Sequence, residues 1–332
     1  MLETGRKMKA LGLLSGGLDS TLAVKLMLER GIEVEALNFV TPFCLCRKGG
    51  CGAAEAAKTF NIPLKMVSAG TDYLRIIRKP KYGYGKNMNP CVDCRIFMLK
   101  KAKKHAQLIK AEFIFTGEVL GQRPMSQHRG ALDLIERKAG LKGKIVRPLS
   151  GRLLPKTKAE EKGFVDKQVL LDITGRSRKR QLELVKQFNI ENYPCAGGGC
   201  LLTDREFANK LRDLFEHKKR VTLKDVNSLK VGRHFRFEEN KIIVGRNETE
   251  NGILFRNKHK TDYYFEVPNC GSPTTILKGP KTKQAIEKAA SLTAFHSDKK
   301  ENEVTVTFGQ NKLDKKITIA PLNPSDVNAL RI

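Results

Sequence analysis

The chain of 332 residues contains no tryptophan, only six histidines and no apolar run long enough to cross a membrane. Its first eight residues are polar and lack the apolar core of a signal peptide. Acidic residues are also scarce, with 35 Asp and Glu against 62 Lys and Arg, which gives a formal net charge of +27. We therefore expect a cytoplasmic protein without a membrane partner, and the positive excess indicates a polyanion such as RNA.

Basic residues cluster at residues 176–180 and 218–220, which favours a nucleic-acid partner over a merely soluble surface. The histidines are scattered without metal-ligand spacing, so each is expected at the surface. They are His105, His128, His217, His234, His259 and His296.

Two regions with different patterns divide the chain. Up to about residue 150, short apolar runs alternate with helical stretches, which predicts a parallel α/β sheet covered on both faces. Residues 150–200 are expected to form a connecting lobe of this first domain, which would span residues 1–220. Residues 221–332 contain short strands separated by Gly, Asn and Pro turns, which predicts a separate, smaller α+β domain.

The hexapeptide from Ser15 to Ser20 (Ser-Gly-Gly-Leu-Asp-Ser) follows a predicted strand and opens a predicted helix. Glycine lets the backbone approach an anion, and free N–H groups at a helix start bind phosphate oxygens. Asp19 indicates Mg²⁺ or proton handling, because a carboxylate does not contact phosphate directly without a cation. The candidate phosphate-loop residues are Ser15, Gly16, Gly17, Asp19 and Ser20. A simple glycine turn with a serine cap is the alternative, and the Walker ending is absent.

This hexapeptide resembles the signature of the PP-loop ATP pyrophosphatases. The resemblance implies that ATP loses pyrophosphate and leaves AMP on an oxygen of the substrate, which a nucleophile then displaces. In this interpretation the adenine lies near Asn38, Phe39 and the turn at Thr116 and Gly117.

A second segment, from Thr116 to Gln127, begins at the end of a predicted strand. It resembles the Thr-Gly-Glu-x-Leu-Gly-Gln…Ser-Gln segment of ThiI-type 4-thiouridine synthetases, with one extra residue, and includes Gln122. Arg147-Pro148-Leu149 resembles the Arg-Pro-Leu that follows in those proteins. A plain strand-to-helix turn is the alternative for Thr116 and Gly117.

Eight cysteines in an intracellular chain are expected to be metal ligands or reactive thiols rather than disulfides. Cys91 and Cys94 form a CxxC at a helix start, where the helix N-terminus is expected to lower their pKa values. Cys195 and Cys200 flank a glycine run. A structural zinc site, a redox disulfide and a three-cysteine 4Fe–4S cluster all remain open, and spacing alone favours zinc.

In a PP-loop context, Asn89-Pro90-Cys91-x-x-Cys94 resembles the cluster-binding cysteines of iron–sulfur-dependent tRNA thiolation enzymes. That resemblance implies Cys91, Cys94 and a distant cysteine as ligands, with Cys200 preferred and Cys195 as the runner-up, or else a persulfide on the thiol pair. Three further cysteines could form a second metal site, a sulfur relay or ordinary thiols, and Cys270 is expected to be structural. The three are Cys44, Cys46 and Cys51.

The C-terminal region resembles the RNA-binding domain of the NFACT proteins in three stretches, at residues 244–247, 251–254 and 269–273. The Trp-Leu-His and Gly-Ser-His expected there are replaced by Tyr264-Phe265-Glu266 and Gly271-Ser272-Pro273. Basic residues interleave with aromatic ones, a mixture suited to phosphates and stacked bases. A small scaffolding domain is the alternative.

Taken together, these patterns predict an ATP-dependent tRNA sulfurtransferase that makes 2- or 4-thiouridine. Asp19, Cys91 and Cys200 are its candidate catalytic residues, and ATP, Mg²⁺ and a 4Fe–4S cluster, or zinc, its cofactors. Its partners would be tRNA and a sulfur donor, either sulfide or a cysteine desulfurase relay. The alternatives are a LarE-like sulfurtransferase acting on a small metabolite and a non-catalytic RNA-binding protein.

Overall fold

The structure is a computed structural model that describes residues 8–44, 52–190 and 199–332. Cys46, Cys51 and Cys195 lie outside these ranges. Packing divides the chain into two compact units, residues 1–204 and residues 205–332. No helix in the described ranges combines the length and the apolar character that a membrane crossing requires.

The first unit is built on a parallel sheet, which confirms the predicted α/β class. Within the described residues, its strands are ordered β3-β2-β1-β4-β5, and every pair is parallel. Their bounds are β1 Lys9–Leu13, β2 Glu33–Val40, β3 Leu64–Ser68, β4 Phe113–Thr116 and β5 Ile145–Val146. Because β1 lies between β2 and β4, the carboxyl ends of these three strands meet at one edge, where ligands of such sheets bind.

Helices cover both faces of this sheet. Their bounds are α1 Leu18–Leu28, α2 Gly52–Thr59, α3 Thr71–Arg78, α4 Cys91–Leu108, α5 Arg129–Ala139, α6 Lys158–Glu161 and α7 Lys179–Gln187. Alternate strand residues point to opposite faces, so Ala10 packs with α1, α2 and α7 while Leu11 packs with α4 and α5. The result is a three-layer α/β/α sandwich.

Residues 150–175, expected to be a connecting lobe, pack tightly on the first unit. The fully buried Ser150 hydroxyl donates to the Ile173 carbonyl at 2.6 Å and accepts from the Leu120 N–H at 3.0 Å. Leu170 and Ile173 join the core under α1. Most of the Lys, Glu and Pro residues of this segment face solvent, whereas Glu160 is buried.

The second unit is the predicted smaller α+β domain. Among its described residues the strand order is β11-β10-β8-β9-β7-β6, and neighbouring strands are antiparallel. The bounds are α8 Arg205–His217, α9 Leu223–Ser228, β6 Arg233–Phe237, β7 Asn240–Val244, α10 Glu248–Asn257, β8 Tyr263–Glu266, β9 Thr275–Lys278, α11 Lys283–Phe295, β10 Val304–Gly309, β11 Lys315–Ile319 and α12 Pro324–Leu330. The alanine-rich face of α11 packs on the sheet, where small side chains allow close approach.

Helix α8 belongs to the second unit, although the sequence places the domain boundary near residue 220. Its buried Asp213 accepts two hydrogen bonds from Arg236, at 2.7 and 2.8 Å, and one from Lys241 at 2.6 Å. Burial alone would raise the pKa of Asp213, but these two cations hold it below its ordinary value. A carboxylate paired in this way ties α8 to β6 and β7.

One histidine contradicts the expectation that all six lie at the surface. His234 on β6 is 1% exposed, and its Nε2 lies 2.9 Å from the Val231 carbonyl. Burial, aided by Lys241 and Lys210, lowers its pKa well below the ordinary value, so it is a neutral core residue.

Candidate functional site

The phosphate loop connects β1 to α1 at the carboxyl edge of the sheet. Gly16 has a φ of +75°, and a Cβ there would lie 2.3 Å from the backbone nitrogen of Ala53. Gly17 is extended and precedes α1, and no side chain caps that helix start. The loop therefore needs glycine at position 16 and presents helix N–H groups at the expected place.

The two serines of the loop bond to each other rather than standing free. Their hydroxyl oxygens are 2.9 Å apart, and the Ser20 oxygen also accepts from the Ser15 N–H at 3.2 Å. The Ser20 hydroxyl donates to the Gly17 carbonyl at 2.9 Å. Ser20 is buried and braces the loop, whereas Ser15 is exposed and accessible to a ligand.

Asp19, in the first turn of α1, is held by two glutamine amides. Gln122 donates to its Oδ2 at 2.8 Å and Gln181 to its Oδ1 at 3.4 Å. Gln181 lies on α7 and is 0% exposed. Gln181 could not be predicted from the sequence, because the pattern of a basic amphipathic helix does not indicate which polar residue turns inward.

Asn38 and Phe39, predicted near the adenine, occupy the end of β2. The buried Asn38 amide donates to the Leu14 carbonyl at 2.8 Å, which fixes the chain just before the phosphate loop. Phe39 packs with the cluster under α4 and α5. Both residues support the edge of the sheet where the loop begins.

The Thr116–Gly117 turn contacts the phosphate loop directly. A Cβ on Gly117 would lie 2.5 Å from the Asp19 carbonyl oxygen, so only glycine allows this approach. The buried Thr116 hydroxyl donates to Glu118 at 3.1 Å. Hence the two motifs that the sequence separates by about a hundred residues form one site.

A buried ion network lies behind this turn. The carboxylate of Glu118, 1% exposed, contacts Arg147 at 3.1 Å and Arg95 at 3.3 Å, and Arg147 also pairs with Glu136 at 2.5 Å. Burial would raise the pKa of Glu118, but the two guanidinium groups and Thr116 hold it below its ordinary value. The Arg-Pro-Leu motif thus contributes a buried cation that fixes the Thr116–Gly117 turn.

Arg123 links the nucleotide motifs to the cysteines. It is exposed at the rim, yet Cys91, Asp19, Arg95 and Arg178 all act on its guanidinium. Partial desolvation and the nearby Arg95 lower its pKa, while Cys91 and Asp19 oppose that change. Arg123 therefore lies within electrostatic range of both the phosphate loop and the CxxC motif.

Tyr73 lies near cysteines from three separate segments, Cys44, Cys94 and Cys200. Cys91 and Cys94 lie in the first turn of α4, and the Tyr73 hydroxyl donates to the Cys94 sulfur at 3.0 Å. Cys200 forms an isolated antiparallel bridge with Cys44, supported by a 2.9 Å bond from the Leu201 N–H to the Phe43 carbonyl. The predicted set Cys91, Cys94 and Cys200 is thus brought together, and Cys44 joins it.

Burial dominates the ionisation of these thiols. It raises the pKa of Cys200 to about 12, with the neighbouring Cys94, Cys91 and Cys44 adding to the effect. Burial also raises the pKa values of Cys91 and Cys94. The expected lowering of these two pKa values is therefore not seen in the described structure, where desolvation by burial is the largest influence on both thiols.

The donor chemistry of the cluster fits a soft metal centre. Thiolate ligands suit zinc and iron–sulfur centres, and a bound cation would offset the cost of ionising buried thiols. No group of three or more His, Cys, Asp or Glu side chains in the described ranges stands in metal-ligand geometry. Cys270 lies in the other unit, with its sulfur 3.9 Å from the Val267 carbonyl, as expected of a structural thiol.

In the second unit, several basic residues expected at an RNA surface are used internally. Arg236 and Lys241 pair with Asp213, Arg246 pairs with Glu250 at 2.7 Å, and Arg233 donates to the Gly245 carbonyl at 3.1 Å. Burial lowers the pKa of Lys241 to about 8 despite its partner Asp213. These residues build the fold rather than an interface.

A different set places lysines against aromatic rings that range from the exposed Phe255 to the buried Tyr264. Phe255 is 45% exposed, and Lys258 lies 5.9 Å from its ring centre and 5.4 Å from that of Tyr264. Lys281 and Lys315 lie 5.6 and 5.2 Å from the Tyr263 ring. We call these six residues the aromatic–lysine surface.

Comparison with known proteins follows the division into units. The family described as thiamine biosynthesis protein (ThiI) matches residues 5–158, and the family described as NFACT protein RNA binding domain matches residues 232–331. A probable tRNA sulfurtransferase of Ureaplasma parvum serovar 3 is 32% identical over 130 residues, covering 36% of this chain and 32% of that protein. The chain thus spans about a third of the length of this curated relative.

Two further comparisons extend over more of the chain. The tRNA-specific 2-thiouridylase MnmA of Marinobacter nauticus is 23% identical over 331 residues, covering 90% of this chain and 82% of that protein. A 4-thiouridine synthetase solved with RNA and bound ATP is 22% identical, with a TM-score of 0.35 over 67% of this chain and 52% of that one. The chain therefore joins a PP-loop unit like those of tRNA thiouridine synthetases to a unit like the RNA-binding domain of NFACT proteins.

Proposed function

We propose that this protein is an ATP-dependent tRNA sulfurtransferase that replaces a uridine carbonyl oxygen with sulfur. The observation that carries the proposal is the Thr116–Gln127 segment, in which Gln122 donates to Asp19 of the phosphate loop at 2.8 Å and Ser126 lies beside Cys91 of the cysteine cluster. Groups for activating an oxygen and groups for handling sulfur are therefore neighbours, as a two-step replacement requires.

The first step activates the uridine. ATP lies across the loop at Gly16 and Gly17. The uridine carbonyl oxygen attacks the α-phosphorus, which releases pyrophosphate and leaves AMP on that oxygen, while the ring N–H proton is lost to solvent. Asp19, oriented by Gln122 and Gln181, would hold a Mg²⁺ ion or its water, and the chemistry that such an ion would supply is neutralisation of the pyrophosphate charge. A base buried in the tRNA stack has to be turned out to reach this site.

In the second step sulfur displaces AMP. Hydrosulfide forms a bond to the activated carbon, the carbon–oxygen bond to AMP breaks, and the sulfur proton moves to the ring nitrogen, so thiouridine and AMP leave. Cys91, Cys94 and Cys200 would hold the 4Fe–4S cluster that the thiol donors fit. The chemistry that such a cluster supplies when bound is the storage of an inorganic sulfur atom next to the substrate.

Three features favour tRNA as the substrate. The net charge of +27 suits a polyanion, and the relatives are named as tRNA-modifying proteins. The second unit matches an RNA-binding family. A small metabolite would not require this charge, and a purely RNA-binding protein would not require the orientation of Asp19, so both alternatives are weaker. A tRNA substrate also implies a cytoplasmic location.

The proposal is tested with the full chain purified without oxygen and total tRNA from a strain lacking the gene. With ATP, Mg²⁺ and sulfide, we expect 2- or 4-thiouridine in the nucleoside mass spectrum. Asp19→Asn should lower the rate by about 100-fold, as loss of an oriented charge at a reacting centre does, whereas Asp133→Asn on the exposed face of α5 should not. ATP cleavage without thiouridine would contradict the assignment to tRNA.

The cluster is tested separately by iron and sulfide analysis of the same preparation. We expect iron and sulfide in the wild-type protein, a loss of both in Cys91→Ala, and no change in Cys270→Ala. A colourless protein with one tightly bound zinc ion would overturn the cluster and leave ATP-dependent activation as a separate question.

A further inference from the structure

We propose that Arg178 and Arg123 form a binding site for the pyrophosphate part of the nucleotide, opposite the phosphate loop. Arg178 belongs to the basic segment at residues 176–180 that the sequence assigns to nucleic-acid binding. The inference rests on the proposed function and deepens it, because it names residues that hold the leaving group of the activation step.

Helix α7 packs beside the phosphate loop. Val185 of α7 shares a core with Leu18 and Leu22 of α1, and the Lys25 ammonium lies 5.8 Å from the Phe188 ring. At the start of α7, the buried Gln181 donates to Asp19 at 3.4 Å. Arg178, the residue just before α7, therefore lies close to the phosphate loop.

Arg178 has a buried hydrogen-bond donor, its Nε atom, without an acceptor among the described residues. A buried donor on a charged group costs stability unless an acceptor satisfies it. A planar guanidinium with several N–H groups matches phosphate oxygens in a two-point contact.

Positive charge is concentrated around Arg123. Arg178 and Arg95 both act on Arg123, and Asp19 is the nearby acidic residue of the loop that opposes them. Arg95 is paired with Glu118 at 3.3 Å, but among the described residues no carboxylate forms an ion pair with Arg123 or Arg178. A multiply charged anion between them and the N–H groups of α1 would balance the site.

The remaining basic residues of the segment face elsewhere. Arg176 and Lys179 are exposed, and Arg180 pairs with Asp172. The segment thus divides by function: Arg178 turns towards the nucleotide, and its neighbours stay at the surface. This division explains why Arg176 is a suitable control for Arg178.

The test measures binding of inorganic pyrophosphate and of MgATP to the full chain by calorimetry, without tRNA, and binding of tRNA separately. Arg178→Gln should weaken pyrophosphate binding by at least about tenfold, since a hydrogen bond to a charged group contributes about that much. Its tRNA affinity should stay within about twofold. Arg176→Gln should leave pyrophosphate binding unchanged.

Two results would overturn the inference: unchanged pyrophosphate binding in Arg178→Gln, or a loss of tRNA binding alone, which would make Arg178 part of an RNA surface. Urea unfolding checks the fold of the variant. Arg178→Lys keeps the positive charge but loses the planar guanidinium, so its pyrophosphate affinity should lie between those of wild type and Arg178→Gln. Wild-type protein that binds pyrophosphate through Arg178 yet thiolates no tRNA would refute the proposed function and leave this site intact.

Discussion

The sequence identifies some of the clustered cysteines as candidate ligands more directly than others. The CxxC spacing of Cys91 and Cys94 identifies a thiol pair directly, and the glycine run marks Cys200. The role of Cys44 could not be read from the sequence, because its approach to Cys200 depends on a bridge between segments more than a hundred residues apart. The effect of burial on the thiols was likewise hidden, since desolvation depends on neighbours that only the fold supplies.

The high pKa of Cys200 makes a testable prediction for the metal-free protein. Because only the thiolate reacts and the pKa is about 12, alkylation of Cys200 by iodoacetamide should rise about tenfold per pH unit from pH 7.5 to 9.5. Peptide mass spectrometry measures this rate. In urea, the alkylation rate of Cys200 should level off above the ordinary thiol pKa of about 8.5. A plateau at the same pH in the folded protein would contradict the account.

At the scale of secondary structure, the sequence is informative where burial is continuous. β1, α1, α4 and β4 lie where the sequence predicts a strand before Ser15, a helix after the phosphate loop, a helix start at Cys91 and a strand end at Thr116, because apolar periodicity is a local signal. α10 was not predicted, since the sequence indicated short strands separated by Gly, Asn and Pro turns in this region. The structure instead shows the Asn251 amide bonding to the Ser272 carbonyl at 3.2 Å and the Thr274 N–H at 3.0 Å, a tertiary role that pattern does not reveal.

The buried network at Glu118 and Arg147 couples β4, α4 and α5, and its removal should be costly. Arg147→Ala removes the ion-pair partner of Glu136 and one of the two guanidinium partners of Glu118, so the free energy of unfolding should fall by about 3 to 5 kcal/mol. On the exposed face of α5, Arg137→Ala breaks an ion pair with Asp133 and should cost about 0.5 kcal/mol or less. Urea titration at pH 7 measures both.

The same network predicts a pH dependence. The pKa of Glu118 is lower in the folded protein than its ordinary value, so its stabilisation is complete at neutral pH and is lost as the pH falls below about 4. The difference between wild type and Arg147→Ala should therefore shrink in acid. A difference that stays constant from pH 7 to pH 3 would show that Glu118 is not held ionised by Arg147.

At the scale of the whole molecule, charge and domain content were readable from the sequence, but the residues that meet RNA were not. Four basic residues expected at the interface are partnered within the second unit, and only the structure separates them from the aromatic–lysine surface. Charge counts alone cannot make this distinction, because they do not tell which cations already have a carboxylate partner.

Phe255 tests that surface. If its ring stacks on a base, Phe255→Ala should weaken tRNA binding by about tenfold, since such stacking contributes about 1 to 3 kcal/mol. Leu108→Ala is the control, because Leu108 is a large exposed apolar side chain of the first unit. Filter binding at several salt concentrations gives both affinities, and equal losses for the two variants would place the RNA contact elsewhere.

The central claim is that ATP activates a carbonyl oxygen of tRNA that sulfur then replaces. It is tested most directly with tRNA whose uridine carbonyl oxygens carry oxygen-18, incubated with the protein, ATP and sulfide, followed by mass spectrometry of the AMP released. The account predicts one labelled oxygen in the phosphate of each AMP formed with thiouridine. Thiouridine accompanied by unlabelled AMP, or by ADP instead of AMP, would contradict it.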